Sequence, residues 1–93
     1  MPSYLVETYL AREHAGERGI RERRARSAAE DLTRGNKQVR FDHSIHVPGD
    51  EICFYVFDAP SARVAAHAAR RAGLDPIRVV EAVSSGMDQK EET

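Results

Sequence analysis

The chain has 93 residues, enough for one domain with one modest core. Its 14 basic and 15 acidic residues nearly cancel, which argues against nucleic-acid or acidic-membrane partners, and no apolar run approaches the roughly 20 residues of a membrane span. The single cysteine cannot form an internal disulfide and the N-terminus lacks the regions of a signal peptide, so we expect a cytoplasmic protein.

A strand over residues 3–10 and a helix over residues 15–33 are the first two predicted elements. The strand is rich in β-forming residues. Alternation assigns Tyr4, Val6, Thr8 and Leu10 to its core face, and Leu5, Glu7 and Tyr9 to its other face. The helix is rich in Glu, Arg and Ala, with a thin apolar stripe and a stop signal at Gly35-Asn36. Its arginines have no interleaved aromatic residues, so they indicate a solvated face rather than a nucleic-acid surface.

Residues 39–58 predict a β-hairpin, because two alternating apolar runs flank the turn formers Pro48-Gly49-Asp50. Pairing Val47 with Ile52 places His46 opposite Cys53, and continuing the count places His43 opposite Val56. One face is then Val39, Phe41, His43, Ile45, Val47, Ile52, Phe54 and Val56, and the other is Arg40, Asp42, Ser44, His46, Cys53, Tyr55 and Phe57. We expect the first, more apolar face to meet the helices, and the second to be open with Glu7 and Tyr9.

The last elements are a helix over residues 62–72, with Ser61 as its N-cap and Gly73 as its stop, and a strand over residues 77–83. Residues 84–93 are polar without periodicity and predict a frayed tail. The order β-α-β-β-α-β over residues 1–83 predicts one ferredoxin-like α+β domain, with a four-stranded antiparallel sheet and two helices on one face. A second copy would cover the open face, so we expect a homodimer.

Short motifs along residues 3–83 resemble a small bacterial ferredoxin-like family of unknown function, one actinobacterial branch of which is nickel-binding or nickel-responsive. The motifs are Tyr4-Leu5-Val6-Glu7, Asp42-His43-Ser44, Cys53-Phe54-Tyr55, Ala59-Pro60-Ser61, Ala66-His67-Ala68, Gly73 and Ile77-Arg78-Val79-Val80-Glu81. The resemblance implies a dimeric protein with a nickel site, and His43, Cys53 and His67 fall on positions that the family's motifs mark. Ile45 departs from the pattern, in which a Tyr is common.

Five residues are candidate metal ligands: Glu7, His43, His46, Cys53 and His67. Imidazole and thiolate groups suit nickel, copper or zinc. His46 and Cys53 are predicted cross-strand neighbours with Cβ atoms about 5 Å apart, and Glu7 is a candidate third ligand. No CxxC, HxxxH or HExxH spacing supports a metal, so a surface histidine beside a half-buried cysteine is the competing interpretation.

His43 interrupts an apolar alternation and would need a hydrogen bond or a ligand if buried. Two other functions stay open. In a cofactor-free small-molecule enzyme, His43 would be the general base and Tyr4 or Tyr55 an orienting hydroxyl, although no acidic pair, triad or phosphate loop supports catalysis. A non-catalytic interaction or regulatory module is the third hypothesis. A pocket beside His43 would favour the enzyme, and a filled core with a flat open face would favour the module.

Overall fold

The computed structural model describes residues 1–83. The elements are β1 (Ser3–Tyr9), α1 (Arg18–Arg34), β2 (Arg40–Val47), β3 (Ile52–Asp58), α2 (Ala62–Arg71) and β4 (Arg78–Ala82). Short 3₁₀ segments at Arg12–Glu17 and Pro48–Asp50 lead into α1 and join β2 to β3. All six predicted elements are confirmed, and the tail predicted over residues 84–93 lies outside the described residues.

The four strands form one antiparallel sheet in the order β2-β3-β1-β4. Helix α1 packs over β2, α2 packs over β1 and β4, and the two helices contact each other. This is the ferredoxin-like α+β fold that the element order predicts. Within residues 1–83, neither helix combines the length and the apolarity that a membrane crossing requires.

The core combines small side chains from the helices with large ones from the sheet. The helices contribute the buried residues Ala25, Ala28, Ala29, Leu32, Ala65, Ala68 and Ala69. Beneath them, Tyr55 and Phe57 are fully buried, and the ring of Phe41 lies 5.4 Å from that of Phe57 in an edge-on arrangement. Because alanines fill little volume, the sheet must supply aromatic bulk to reach native packing density.

The predicted hairpin register is confirmed, but the predicted assignment of its faces is wrong. Val47 pairs with Ile52, His46 with Cys53, and the count holds as far as His43 opposite Val56. Cys53, Tyr55 and Phe57 nevertheless face the helices, because they pair with Thr8, Val6 and Tyr4 of the core face of β1.

A β-bulge at Asp42 explains why Val39 and Phe41, unlike the later residues of the same predicted face, do face the helices. The bulge lies between Phe41 and His43, so that Phe41 points to the helices while His43 points away from them. From His43 onward, the apolar set forms the outer face of the sheet. We call Leu5, Tyr9, Ile45, Phe54, Val56 and Val80 the outer apolar face.

The helices and the hairpin end at capping and turn residues, but at two places the left-handed backbone falls on a residue other than the expected glycine. Ser61 caps α2 by accepting a hydrogen bond from Val64 N at 3.3 Å, as predicted. Gly73 ends that helix with φ +79°. In the hairpin turn, however, the left-handed conformation falls on Glu51 rather than on Gly49, and after α1 it falls on Asn36 rather than on Gly35. The Glu51 backbone accepts a hydrogen bond from Leu10 N at 2.9 Å, which fixes the turn against the end of β1.

Candidate functional site

Polar side chains gather where the helix-facing side of the hairpin meets the first half of α1. We call this group the inner polar cluster. It consists of Ser44, His46, Cys53 and Tyr55 from the sheet and Arg18, Arg21 and Glu22 from the helix. The hairpin register holds the sheet members in place, because it sets His46 opposite Cys53 and Ser44 opposite Tyr55 on one face.

Ser44 links the two layers of the cluster. Its hydroxyl accepts a hydrogen bond from Arg18 Nε at 3.1 Å and donates one to the Glu22 carboxylate. Arg18 and Glu22 lie one helical turn apart, with 3.9 Å between Nε and Oε2. On the other side of β3, Thr8 Oγ1 donates to the Cys53 carbonyl at 2.9 Å. The strand that carries the thiol is therefore fixed from both sides.

The thiol of Cys53 is fully buried, and burial raises its pKa. The nearby Tyr55 hydroxyl and the positive charges of Arg18 and Arg21 act in the opposite direction without cancelling the effect of burial. Burial also raises the pKa of the Tyr55 hydroxyl strongly, and the neighbouring thiol adds to this, while Arg21 opposes it. Both groups therefore stay protonated at neutral pH in the metal-free protein.

Two buried polar atoms in this cluster lack a hydrogen-bond partner within residues 1–83. They are the Nε2 atom of His46 and the hydroxyl oxygen of Tyr55. A buried polar atom without a partner costs about 1–3 kcal/mol, so such atoms normally contact a water molecule or an ion. His46 is the cross-strand partner of Cys53, and Tyr55 lies two residues further along β3.

Of the five predicted metal ligands, the structure brings together only His46 and Cys53. Glu7 lies on the opposite face of the sheet, where its carboxylate accepts a hydrogen bond from Arg78 Nε at 3.0 Å. His43 also lies on that face, and His67 is exposed on α2. Across the residues that the structure describes, no three His, Cys, Asp or Glu side chains are grouped closely enough to bind a metal by themselves.

The prediction that His43 lies in the layer between sheet and helices is wrong. Its side chain is 53% exposed, and its Nδ1 lies 2.8 Å from Asp42 Oδ2. Tyr4 and Tyr55, the hydroxyls suggested as its enzymatic partners, are buried on the opposite face of the sheet. The strand's pleat thus separates the proposed base from both proposed orienting groups.

Sequence reasoning missed the contribution of α1 to this cluster. Arg18, Arg21 and Glu22 belong to a run that the sequence predicts to be a solvated face. The one available signal is the spacing of Arg18 and Glu22, which places opposite charges on the same side of the helix. That spacing also suits an exposed pair, so it does not reveal that Ser44 lies beneath.

Fold and site together define a small ferredoxin-like α+β protein in which a partly buried histidine is paired with a buried cysteine. No protein-family model matches the chain, and no curated protein does. Among solved structures, the chain is similar to the one titled "Crystal structure analysis of SCO4226 from Streptomyces coelicolor A3(2)". The TM-score is 0.74 at 14% identity, and the match covers 90% of this chain and 99% of that one. At this identity, the likeness shows a shared fold.

Proposed function

We propose that the chain is a small homodimeric metal-binding protein of the cytoplasm, with His46 and Cys53 as its metal ligands. The observation that carries this proposal is the buried Nε2 of His46, which has no partner within residues 1–83 and lies on the residue paired with Cys53. A neutral imidazole nitrogen and a thiolate are strong ligands for late transition metals. The chemistry of the donor set therefore fits such an ion.

Tyr55 provides an oxygen donor in the same cluster, since its hydroxyl is the second buried atom without a partner. The electrostatics of the cluster are mixed. Arg18 and Arg21 favour a thiolate at Cys53 but repel a divalent cation, whereas Glu22 attracts one. A bound cation would supply the positive charge that keeps Cys53 ionised despite its burial.

Nickel is the proposed metal, because the motifs of this chain resemble those of a family of unknown function that has one nickel-binding or nickel-responsive branch. Copper and zinc also favour imidazole and thiolate ligands. Two protein ligands with one further oxygen donor leave open coordination positions, which suits a protein that binds a metal reversibly.

Calorimetric titration of untagged protein with Ni²⁺ tests the proposal. We expect a binding heat that is lost in His46→Ala and Cys53→Ala, and a near-ultraviolet thiolate-to-metal absorption band that depends on Cys53. The matched controls are His43→Ala and His67→Ala, because both residues are exposed and lie outside the inner polar cluster. Binding heat that persists unchanged in both His46→Ala and Cys53→Ala would exclude these residues as ligands.

Cys53 is fully buried, so its replacement can disturb the fold as well as the site. Circular dichroism of each variant separates these effects, and His46, which is only partly buried, provides the milder substitution. Release of the Cys53 proton on metal binding also predicts a pH effect. Because the pKa of Cys53 is raised, metal binding must displace its proton, and the apparent affinity should rise about tenfold per pH unit across neutral pH.

The proposed homodimer forms through the outer apolar face. Ile45 and Tyr9 are exposed there, and Phe54 lies between them on the central strand β3. A second copy is the proposed occupant, because the face is apolar at its centre and carries a Glu7–Arg78 ion pair at one edge, an arrangement typical of dimer interfaces. The chain's single cysteine cannot form an internal disulfide, which supports a cytoplasmic location.

A further inference from the structure

A cleft of about 470 Å³ opens on the helix side of the molecule, next to Cys53, since Thr8 of its lining donates a hydrogen bond to the Cys53 carbonyl. The end of β1 forms its floor, the first half of α1 forms one wall, and the loop from α2 to β4 forms the other. Pockets that bind small molecules commonly have volumes of about 300–1,000 Å³, so the cleft has room for a metabolite of modest size.

The two walls present apolar side chains that the core leaves uncovered. Ile20 of α1 is 46% exposed, and Ile77, just before β4, is 58% exposed. Ile20 is left uncovered because burial in α1 begins only at Ala25. Ile77 is held in place by its own backbone, since its N–H donates to the Glu7 carbonyl at 2.7 Å.

The charges of the cleft are balanced, but they are not all paired. Arg21 donates to the Tyr9 carbonyl at 3.2 Å and lies 3.5 Å from the Glu17 carboxylate, so this pair is already engaged. Arg24 and Asp75 are exposed, and neither forms a salt bridge within residues 1–83. They lie on opposite walls, Arg24 on α1 and Asp75 on the loop between α2 and β4.

We infer that this cleft binds a small zwitterion with an apolar side chain, of which a hydrophobic α-amino acid is the simplest. Arg24 binds the carboxylate, Asp75 binds the ammonium group, and Ile20 and Ile77 contact the side chain. A cleft with one unpaired charge of each sign favours a zwitterion over a simple acid or a simple amine. The inference does not depend on a metal at His46 and Cys53, although Arg21 belongs to both places and Thr8 of the cleft bonds the Cys53 backbone.

Three ligands of similar size test the charge requirement: L-phenylalanine, 3-phenylpropionate, which lacks the amine, and phenethylamine, which lacks the carboxylate. Binding to the full chain is followed by chemical-shift changes in two-dimensional NMR spectra. We expect a dissociation constant of about 1 mM for L-phenylalanine, so the titration extends to roughly ten times that concentration. We expect L-phenylalanine to bind at least about tenfold more tightly than either analogue.

Two variants test the charged residues, each with a matched control. Arg24→Gln and Asp75→Asn should each weaken L-phenylalanine binding about tenfold or more. Arg23→Gln and Glu81→Gln remove exposed charges that do not line the cleft, and should leave binding unchanged. Because all four positions are exposed, we expect each variant to fold, and differences in binding then report on the cleft.

Stereochemistry provides a further test. Three contacts around one carbon distinguish enantiomers, so D-phenylalanine should bind several-fold more weakly than the L form. Three results would each overturn the inference: no shift changes with any of the ligands, equal binding of phenylpropionate with no effect of Asp75→Asn, or equal binding of both enantiomers. The second result would indicate a site for simple carboxylates instead.

Discussion

Cys53 and Tyr55 place two ionisable groups in the core. They lie two residues apart on β3, and both are fully buried. Burial disfavours their charged forms, so their pKa values are raised from the ordinary values of 9.0 and 10.0. In the unfolded chain these groups lose their protons earlier as pH rises. The folded state therefore binds more protons than the unfolded state above about pH 9, and its stability must fall there.

We predict that the free energy of unfolding of the metal-free protein declines as pH rises through about 9 and 10, and that Tyr55→Phe makes this decline shallower. At neutral pH, Tyr55→Phe should be neutral or stabilising by up to about 1 kcal/mol, because it removes a buried hydroxyl without a partner. Urea denaturation with a chelator present measures both effects. Tyr9→Phe, at an exposed position, is the control. A clear destabilisation by Tyr55→Phe at neutral pH would show that the hydroxyl has a bonding partner.

Asp58 governs the acidic side of the stability profile. Burial raises the pKa of this carboxyl, but the hydrogen bonds from Ser3 Oγ, at 2.7 Å, and from Arg40, with the attraction of the Arg40 charge, outweigh burial and leave the pKa below its ordinary value of 3.8. A lowered pKa contributes stability that is fully present above about pH 4 and is lost as pH falls through the folded-state value.

We therefore predict that Asp58→Asn lowers the free energy of unfolding at pH 7 and flattens its dependence on pH between about 5 and 2. The carboxylate links the start of β1 to the start of β2, so the amide cannot replace both of its charged contacts. Asp50→Asn, at an exposed position in the hairpin turn, should leave the profile unchanged. Parallel acid titrations followed by circular dichroism provide the measurement, and identical profiles for Asp58→Asn and the unsubstituted chain would contradict it.

At the level of the elements, a few residues with a left-handed backbone end the helices and form the turns. Gly73 ends α2 with a left-handed conformation, and an added Cβ there would meet no atom within 4 Å. Any cost of a side chain at Gly73 is therefore a cost of backbone conformation alone. Gly16 offers a matched position, since an added Cβ also meets nothing there and its backbone is not left-handed.

We predict that Gly73→Ala destabilises the protein by about 1–2 kcal/mol, whereas Gly16→Ala is neutral or stabilises it by up to about 1 kcal/mol. Both substitutions add one methyl group to open space, so their difference isolates the left-handed backbone of Gly73. Midpoints of urea denaturation for the two variants give the comparison. Equal midpoints would mean that the loop after α2 rearranges freely to accept alanine.

At the level of the whole molecule, two layers leave one side of the sheet uncovered by residues 1–83. The two helices cover the side that contains Tyr55 and Phe57, while the outer apolar face carries Ile45, Phe54 and Leu5. A contiguous apolar face of this kind is typical of a surface that meets a partner. The proposed second copy would remove these side chains from water at about 25 cal/mol for each Å² buried.

We predict a homodimer in sedimentation equilibrium at micromolar concentration, and we expect Ile45→Lys to shift it towards the monomer. Ile45 is 43% exposed on β2, so a lysine there need not disturb the core of the free chain. Ile77→Lys places the same change at an exposed position in the cleft, outside the outer apolar face, and should leave the dimer intact. A monomeric unsubstituted chain, or equal effects of both variants, would contradict dimerisation through the outer apolar face.

Much of the candidate site could be predicted from the sequence, because strand pairing is a local count from a recognisable turn. The pairing of His46 with Cys53 follows from Pro48-Gly49-Asp50 and is confirmed. The placement of Glu7 beside that pair is wrong, because it required knowing which face of each strand meets the helices. Alternation separates side chains into two sets but does not assign either set to the core when both contain large apolar residues.

By itself, the sequence determined the six elements, their order, the hairpin register and the cap at Ser61, since these depend on periodicity and on residues a few positions apart. Only the tertiary structure decided that His46 and Cys53 lie beneath α1, and that Arg24 and Asp75 face one cleft. The physical reason is the volume that the core must fill. Helices lined with alanine leave space that the aromatic side chains of Tyr55 and Phe57 fill, so the sheet face that carries these rings packs against the helices. The polar residues of the same face therefore also lie beneath the helices.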